Sequence, residues 1–221
     1  MEVVFKQKYS WSILPFKQKV DLKLEKQKSQ IYEQNFRWFR RSRVAELCVP
    51  WRLANEIGWI IPSPVDITLT PIHDIEISCA KEEISNICKI TGTTELWNRD
   101  NSYFAIQKAS WLRLYDFQTP SGWESMFIIN GQGSVEWRLG WEIQIPTNYY
   151  IMIMPLDSFA EINIVPGILE SNILERINHS SGISIAINPQ KNIVVKRGQA
   201  IARVILLHAD SLTAKTQFDA L

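Results

Sequence analysis

His179 lies in a short polar segment, Asn178 to Gly182, that precedes an apolar run starting at Ile183. Imidazole groups change protonation near neutral pH, so a histidine in such a turn can serve as a general acid or base when a substrate proton comes within hydrogen-bond reach. His179 is therefore our candidate catalytic residue, although a solvated loop histidine fits the same pattern. No common hydrolase, phosphate-binding or dinucleotide-binding motif occurs in the chain.

Tryptophans and charged residues are interleaved in the central part of the chain. The tryptophans are Trp111, Trp123, Trp137 and Trp141, and the charged residues among them are Arg113, Glu124, Glu136, Arg138 and Glu142. Such a set can form an aromatic-lined pocket in which a few polar groups orient a small molecule. We expect Trp123, Trp137 and Arg138 to bind substrate there. Packing of the rings into the core is the alternative interpretation.

Secondary-structure elements must position these residues. Frequent proline and glycine turn signals predict that most of these elements are β-strands. From Val65 to Leu207 the chain is a series of short β-rich runs broken by proline and glycine, which indicates a sandwich or barrel. Apolar and polar residues alternate around Ile67, Ile75 and Ile185, as in strands with one buried face. Residues 50–57, between a proline and Gly58, predict a short helix, and Gly131-Gln-Gly133 predicts a hairpin turn.

Charge is unevenly distributed along the 221 residues. The net charge is +1, but residues 1–43 hold eleven basic and four acidic residues, a balance of +7, which leaves −6 for the rest. We therefore predict a basic N-terminal arm or helix over residues 1–45 and a β domain over 46–221. Aromatic residues at helical spacing place the helix within residues 29–43. Arginines interleave with them, but the near-neutral total argues against nucleic acid as a partner.

The sequence contains no apolar run of membrane-spanning length and no signal peptide, so we expect a cytoplasmic protein without a membrane partner. The three cysteines lack C-x-x-C spacing, which gives no indication of a disulfide framework or a zinc site. We expect neither a bound metal nor a cofactor.

Residues 145–207 resemble the second half of the trimeric deoxyuridine triphosphatases (dUTPases). The matching segments, in order, are IPTNYYIMIMP (145–155), INIVPGILE (162–170), ISIAIN (183–188) and VKRGQAIARVI (195–205). The resemblance implies a dUTPase-like β-clip, a distorted β-barrel, preceded by the N-terminal arm or helix. It also implies a homotrimer with sites between subunits.

The catalytic positions of this family are altered in the chain. Leu156 and Asp157 stand where the family has the arginine and serine that bind triphosphate, and a carboxylate there repels phosphate. Glu170 keeps a carboxylate at the water-activating position, and Arg203 replaces a glutamine. The resemblance thus implies that nucleotide hydrolysis is lost, while two carboxylates beside an arginine suit acid–base work. The alternative is that Asp157 and Glu170 are solvated loop acids and Arg203 is a strand-edge charge.

A second resemblance concerns the first half. LCVPWRLANEIGW (47–59) with SPVD (63–66), TPSGW (119–123) and VEW (135–137) is similar to an uncharacterised bacterial family found beside natural-product genes. Together these features lead to one hypothesis: a lyase or synthase of specialised metabolism. It would condense or cyclise a small carbonyl compound, with Glu170, His179 and Asp157 as catalytic residues and Arg203 among those that bind substrate. The alternative is a non-catalytic trimeric binding or assembly protein on the same scaffold.

Overall fold

A computed structural model describes residues 2–36, 48–78, 83–93, 95–99, 102–106, 109–156, 159 and 161–218. Its strands are β1 (Val4–Gln7), β2 (Trp59–Pro62), β3 (Ile67–Leu69), β4 (Asp74–Ile77), β5 (Glu95–Arg99), β6 (Ser102–Ile106), β7 (Asp116–Thr119), β8 (Gly122–Ser125), β9 (Phe127–Gly131), β10 (Ser134–Arg138), β11 (Trp141–Gln144), β12 (Tyr149–Pro155), β13 (Ile162–Ile164), β14 (Gly167–Glu170), β15 (Ser184–Pro189), β16 (Ile193–Val195) and β17 (Ala200–His208). Its helices are α1 (Leu22–Asn35), α2 (Val49–Glu56), α3 (Ile84–Thr91), α4 (Ser171–His179) and α5 (Asp210–Thr213). The mainly β class predicted from the sequence is confirmed.

Two four-stranded sheets contribute to the core, with strand orders β13-β15-β10-β9 and β14-β12-β17-β2. Their strands alternate buried and partly exposed residues, because successive side chains of a strand point to opposite faces. Val135 and Trp137 point inward from β10, and Ile151 and Ile153 from β12. All four belong to one contiguous core cluster. The remaining strands form the sheet β4-β6-β5 and the pairs β1-β11, β16-β3 and β7-β8.

The predicted hairpin at residues 131–133 is confirmed, since these residues join β9 to β10 and all three have positive φ. Asp74 supports this turn from outside: one carboxylate oxygen accepts a hydrogen bond from the Gln132 backbone N–H at 2.8 Å, and the other accepts from Gly133 at 2.5 Å. A charged acceptor strengthens both bonds. The β4 residue thereby fixes the hairpin of a neighbouring sheet.

The N-terminal residues differ from the predicted arm. Val4 to Gln7 form a strand that pairs antiparallel with β11, and the Trp11 ring packs over Gly140, where a Cβ would lie 2.5 Å from it. Residues 2–11 therefore belong to the β structure, because their apolar side chains complete its core. The division between arm and domain at residue 45 lies outside the described residues and stays a prediction.

The helix expected over residues 29–43 starts earlier, at Leu22, and ends at Asn35. Asp21 caps it, because its carboxylate accepts a hydrogen bond from the Leu24 N–H at 3.0 Å. Residues 37–43 lie outside the described part of the chain. No α1 residue is buried, so packing contributes little to its position.

Two further predictions have opposite outcomes. The short helix before Gly58 is confirmed as α2, with proline at its start. The expectation that Ile75 faces the core is wrong, since its side chain is 57% exposed at the surface of β4. None of the helices in the described ranges has the length and apolar character that a membrane crossing requires.

Candidate functional site

A cleft of about 320 Å³ lies between strand β11 and helix α4. Trp141 and Ile143 of β11 are buried, so the alternate residues Glu142 and Gln144 face away from the core and line the cleft. Helix α4 forms the opposite wall, which includes Ser171, Leu174, Glu175, Asn178 and His179. Their spacing of three or four residues puts them on one side of the helix.

The Asn178 side chain fastens α4 to β11. Its Nδ2 donates to the Ile143 carbonyl oxygen at 2.8 Å, and its Oδ1 accepts from the Ile143 N–H at 3.3 Å. One amide thus satisfies both backbone groups of a strand residue, as a neighbouring strand would. Because Ile143 is otherwise buried, this contact fixes the width of the cleft.

Lys8 forms a second link across the cleft. Its Nζ lies 3.0 Å from Glu142 Oε1 and also donates to the Asn178 carbonyl oxygen at the end of α4. The ammonium therefore neutralises Glu142 and donates to a carbonyl oxygen at the C-terminal end of the helix, where the helix dipole favours a cation. Both side chains are mostly buried, so the pair has a defined position.

Glu175 and His179 are titratable residues of the cleft whose side chains, unlike that of Glu142, have no ion-pair partner among the described residues. They stand four residues apart on α4, both are exposed, and neither side chain makes a hydrogen bond or ion pair with any other described residue. A carboxylate and an imidazole on one helix face can exchange protons with a bound molecule. The pair is therefore the acid–base group that this cleft offers.

Tyr9 lies near a charged cluster on the β7–β8 side of the molecule. Burial raises the pKa of the Tyr9 phenol above its ordinary value of 10.0, and the negative charges of Glu124 and Glu142 raise it further, while Arg138 opposes them. The Tyr9 ring stacks on Trp11 at a centroid distance of 5.5 Å and contacts Phe117. Tyr9 is thus held neutral at the edge of the aromatic core.

The residues expected from the sequence do not form one group within the chain. Glu170 precedes α4 and His179 ends it, so a helix of nine residues, about 13 Å at 1.5 Å per residue, separates them. Asp157 lies outside the described residues. The polar turn expected at Asn178–Gly182 is the end of α4 followed by a turn, because Leu174 packs the helix into the core.

Arg203 binds the end of helix α2. Its guanidinium donates to the carbonyl oxygens of Ala54 at 2.5 Å and Asn55 at 3.0 Å, which the helix leaves without internal partners. In the sheet, Arg203 pairs with Met154 and Glu170 with Tyr150. Met154 and Tyr150 are four residues apart on β12, which is about 13 Å at 3.3 Å per residue. Arg203 and Glu170 of the same chain are therefore far apart along the sheet.

The structure does not bring Trp123, Trp137 and Arg138 together in an aromatic-lined pocket. Trp137 is fully buried in the core, as are Trp111 and Trp141. These three rings therefore follow the alternative interpretation, in which the tryptophans pack into the core. Trp123 is 73% exposed on β8. Arg138 forms an ion pair with Glu124, and its side chain is 15% exposed. Among the described residues, no tryptophan, tyrosine or phenylalanine lines the cleft between β11 and α4.

Sequence reasoning missed Lys8, Asn178 and Glu175. The apolar residues Leu174 and Ile177, preceded by Ser171 and followed by Gly182, carried a helix signal that would have placed Glu175 beside His179. No comparable signal could pair Lys8 with a residue more than a hundred positions away. Among the residues that the structure describes, no group of three or more His, Cys, Asp or Glu side chains is arranged to hold a metal ion.

The solved structures that resemble this chain include several dUTPases. The native EIAV dUTPase is 14% identical, with 75% of this chain and 86% of that chain covered, at a TM-score of 0.37. A mutant dUTPase of Staphylococcus bacteriophage 80alpha is 8% identical, with 100% and 96% covered, at 0.41. A mutant dUTPase of phage phi11 of S. aureus is 7% identical, with 100% and 97% covered, at 0.41. No family model and no curated protein matches the chain.

Proposed function

We propose that this protein is an acid–base enzyme that acts on a small polar molecule in the α4–β11 cleft. The observation that carries the proposal is the position of Glu175 and His179, which face one cleft and have no partner among the described residues. His179 would take a proton from the substrate, and Glu175 would return one. Lys8, Glu142 and Asn178 would hold the walls at a fixed separation.

The reaction class in this proposal is the condensation or cyclisation of a carbonyl compound. His179 would remove a proton from the carbon beside one carbonyl, that carbon would bond to a second carbonyl carbon, and Glu175 in its acid form would protonate the oxygen whose C=O π bond breaks. The resemblance to a natural-product-associated family supports specialised metabolism as the setting. Triphosphate hydrolysis is excluded from the proposal, since Leu156 and Asp157 offer no donor for phosphate oxygens. The cytoplasm stays the predicted compartment.

Native mass spectrometry of the gently purified protein tests this proposal, because it records the mass of the assembly and of any molecule carried with it. A co-purifying carbonyl metabolite gives the compound for a turnover assay. We expect His179→Ala to lower turnover of that compound by roughly 10²- to 10⁴-fold, the usual contribution of a general acid or base. His73→Ala is the matched control, since His73 is exposed and lies outside the cleft. Full turnover in His179→Ala would contradict the assignment.

The homotrimer predicted from the dUTPase resemblance stays part of the proposal. In it, Asp157, Glu170 and Arg203 of different subunits would meet. The bonds from Arg203 to helix α2 weigh against this role, because its guanidinium already has two acceptors. The assembly mass from the same experiment decides the point: a monomer would remove the shared site but would leave the α4–β11 cleft intact.

The second candidate is a non-catalytic assembly protein, and an apolar stripe on α2 favours it. Val49 and Leu53 lie one turn apart on α2 and are 53% and 57% exposed, and Ile57, the residue that follows the helix, is 50% exposed. A stripe of this kind on one helix face is typical of a helix that packs against a partner. Leu53→Glu should then reduce the assembly mass, whereas Leu114→Glu, at an isolated exposed leucine, should not.

A further inference from the structure

A second cavity of about 250 Å³ lies on the other side of helix α4 from the α4–β11 cleft. Ile177 of α4 forms part of its wall, while Glu175 and His179 of the same helix face the first cleft. The two sites have no lining residue in common among those that the structure describes. What binds in the second cavity is thus independent of the function proposed above.

Most of this cavity is apolar. Ile153, Val165, Leu169 and Ile177 contribute aliphatic side chains from β12, the β13–β14 turn, β14 and α4. At the far wall Ser184 and Ala186 of β15 are small, so space remains in front of the neighbouring strand β10. An occupant must therefore offer an aliphatic body of modest size, because the volume is below that of most drug-sized sites.

One carboxylate faces this apolar space. Glu136 is a central residue of β10 and stands directly opposite Ala186 on β15 and Ile128 on β9. It lines the cavity and is partly buried, and its carboxylate makes no hydrogen bond or ion pair with any described residue. Arg138 lies two residues further along β10, on the same face of the strand as Glu136. Its guanidinium forms an ion pair with Glu124 and not with Glu136.

A carboxylate in a largely apolar wall, with no donor among the described side chains, can accept hydrogen bonds from a bound cation. A ligand that supplies a cation beside aliphatic carbon would satisfy both the carboxylate and the walls. We propose that this cavity binds a small organic cation of the alkylammonium class. Its ammonium group donates to Glu136, and its chain lies against Ile153, Leu169 and Ile177.

Isothermal titration with three ligands of equal chain length tests the charge requirement. The full-length protein is titrated with n-hexylammonium, 1-hexanol and hexanoate. We expect hexylammonium to bind, hexanol to bind at least roughly tenfold more weakly, and hexanoate to give no signal, since a charged hydrogen bond contributes more than a neutral one and like charges repel. Equal affinity for hexylammonium and hexanol would overturn the proposal, as would no binding of hexylammonium at millimolar concentration.

Two variants locate the site. Glu136→Gln keeps the shape of the side chain and should weaken hexylammonium binding by roughly 10- to 100-fold, while hexanol affinity stays unchanged. Ala186→Leu should fill the space before Glu136 and weaken both ligands. Glu76→Gln, at an exposed glutamate of β4 that lines neither cavity, is the matched control and should bind hexylammonium as the wild type does. Unchanged hexylammonium affinity in Glu136→Gln would overturn the proposal. None of these outcomes depends on the His179 assay, so either proposal can fail alone.

Discussion

Asn178→Ala is the substitution that tests how the α4–β11 cleft is built. The wild-type amide makes two hydrogen bonds to the backbone of Ile143, at 2.8 Å and 3.3 Å. Alanine removes both and leaves a strand N–H and C=O without their partner. Helix α4 keeps Leu174 in the core, so the fold survives while the wall of the cleft loosens.

The magnitude follows from those two bonds. A neutral hydrogen bond contributes about 1 kcal/mol, and an unsatisfied, partly buried peptide group adds a further loss that entering water reduces. We therefore expect the free energy of unfolding to fall by about 2 to 3 kcal/mol. For a protein of this size the corresponding drop in Tm is roughly 4 to 12 °C.

Urea unfolding followed by tryptophan fluorescence measures this change, because Trp141 is buried beside Ile143 on β11. Glu175→Ala is the control on the same helix: its side chain is exposed and has no partner, so it should change stability by less than about 0.5 kcal/mol. The reasoning is refuted if the free energy of unfolding of Asn178→Ala lies within about 0.5 kcal/mol of the wild-type value.

Three further predictions concern other parts of the fold. Gly182→Ala should lower the unfolding free energy by at least about 2 kcal/mol in urea denaturation, because φ is +79° and the new Cβ would lie 2.6 Å from the Trp141 carbonyl oxygen. Arg203→Lys should lower it by about 1 to 3 kcal/mol, since an ammonium cannot span both α2 carbonyls as the guanidinium fork does. For Tyr9, the folded pKa exceeds the unfolded one, so its stabilising contribution is complete below pH 10.0 and is lost as pH rises through the folded value. Urea denaturation on either side of pH 10.0 should therefore show a steeper loss in the wild type than in Tyr9→Phe.

Each of these has its own control. Gly92→Ala has a similar φ of +64° and nothing within 4 Å of the new Cβ, so it isolates backbone strain from the close contact. Arg176→Lys repeats the arginine change on an exposed residue of α4 that makes no described contact, and it should leave stability unchanged. Parallel pH slopes for wild type and Tyr9→Phe would show that the phenol does not titrate differently in the folded protein.

Local signals in the sequence were sufficient for much of the fold. Proline at the start of α2 with Gly58 after it, and the glycines around Gln132, act through their own backbone conformations, so the sequence alone located a helix and a hairpin. The exposure of Ile75 was not predictable in this way. Alternation specifies that a strand has two faces but not which face another layer covers.

The candidate site was less predictable because it depends on contacts between distant positions. Lys8 reaches Glu142 and the end of α4 only after β1 has paired with β11. Arg203 was expected at a substrate, but its partners are the carbonyl oxygens of Ala54 and Asn55, which no side-chain pattern reveals. Chemistry inferred from residue type thus identified His179 as a candidate but could not show which charged groups the fold itself uses.

The pairing of β1 with β11 has a consequence for how the chain folds. Val4 lies opposite Gln144, so β1 has no partner until β11, more than a hundred residues later in the chain, has been made. Closing such a loop costs conformational entropy before the strand contacts contribute any favourable free energy. Strand pairings this distant in sequence therefore form slowly. Until then Phe5 and the edge of β11 face solvent, where an unpaired edge can add a strand from another chain. Refolding after dilution from urea should therefore end with a slow phase in which β1 docks, and aggregation should be greatest before that phase is complete.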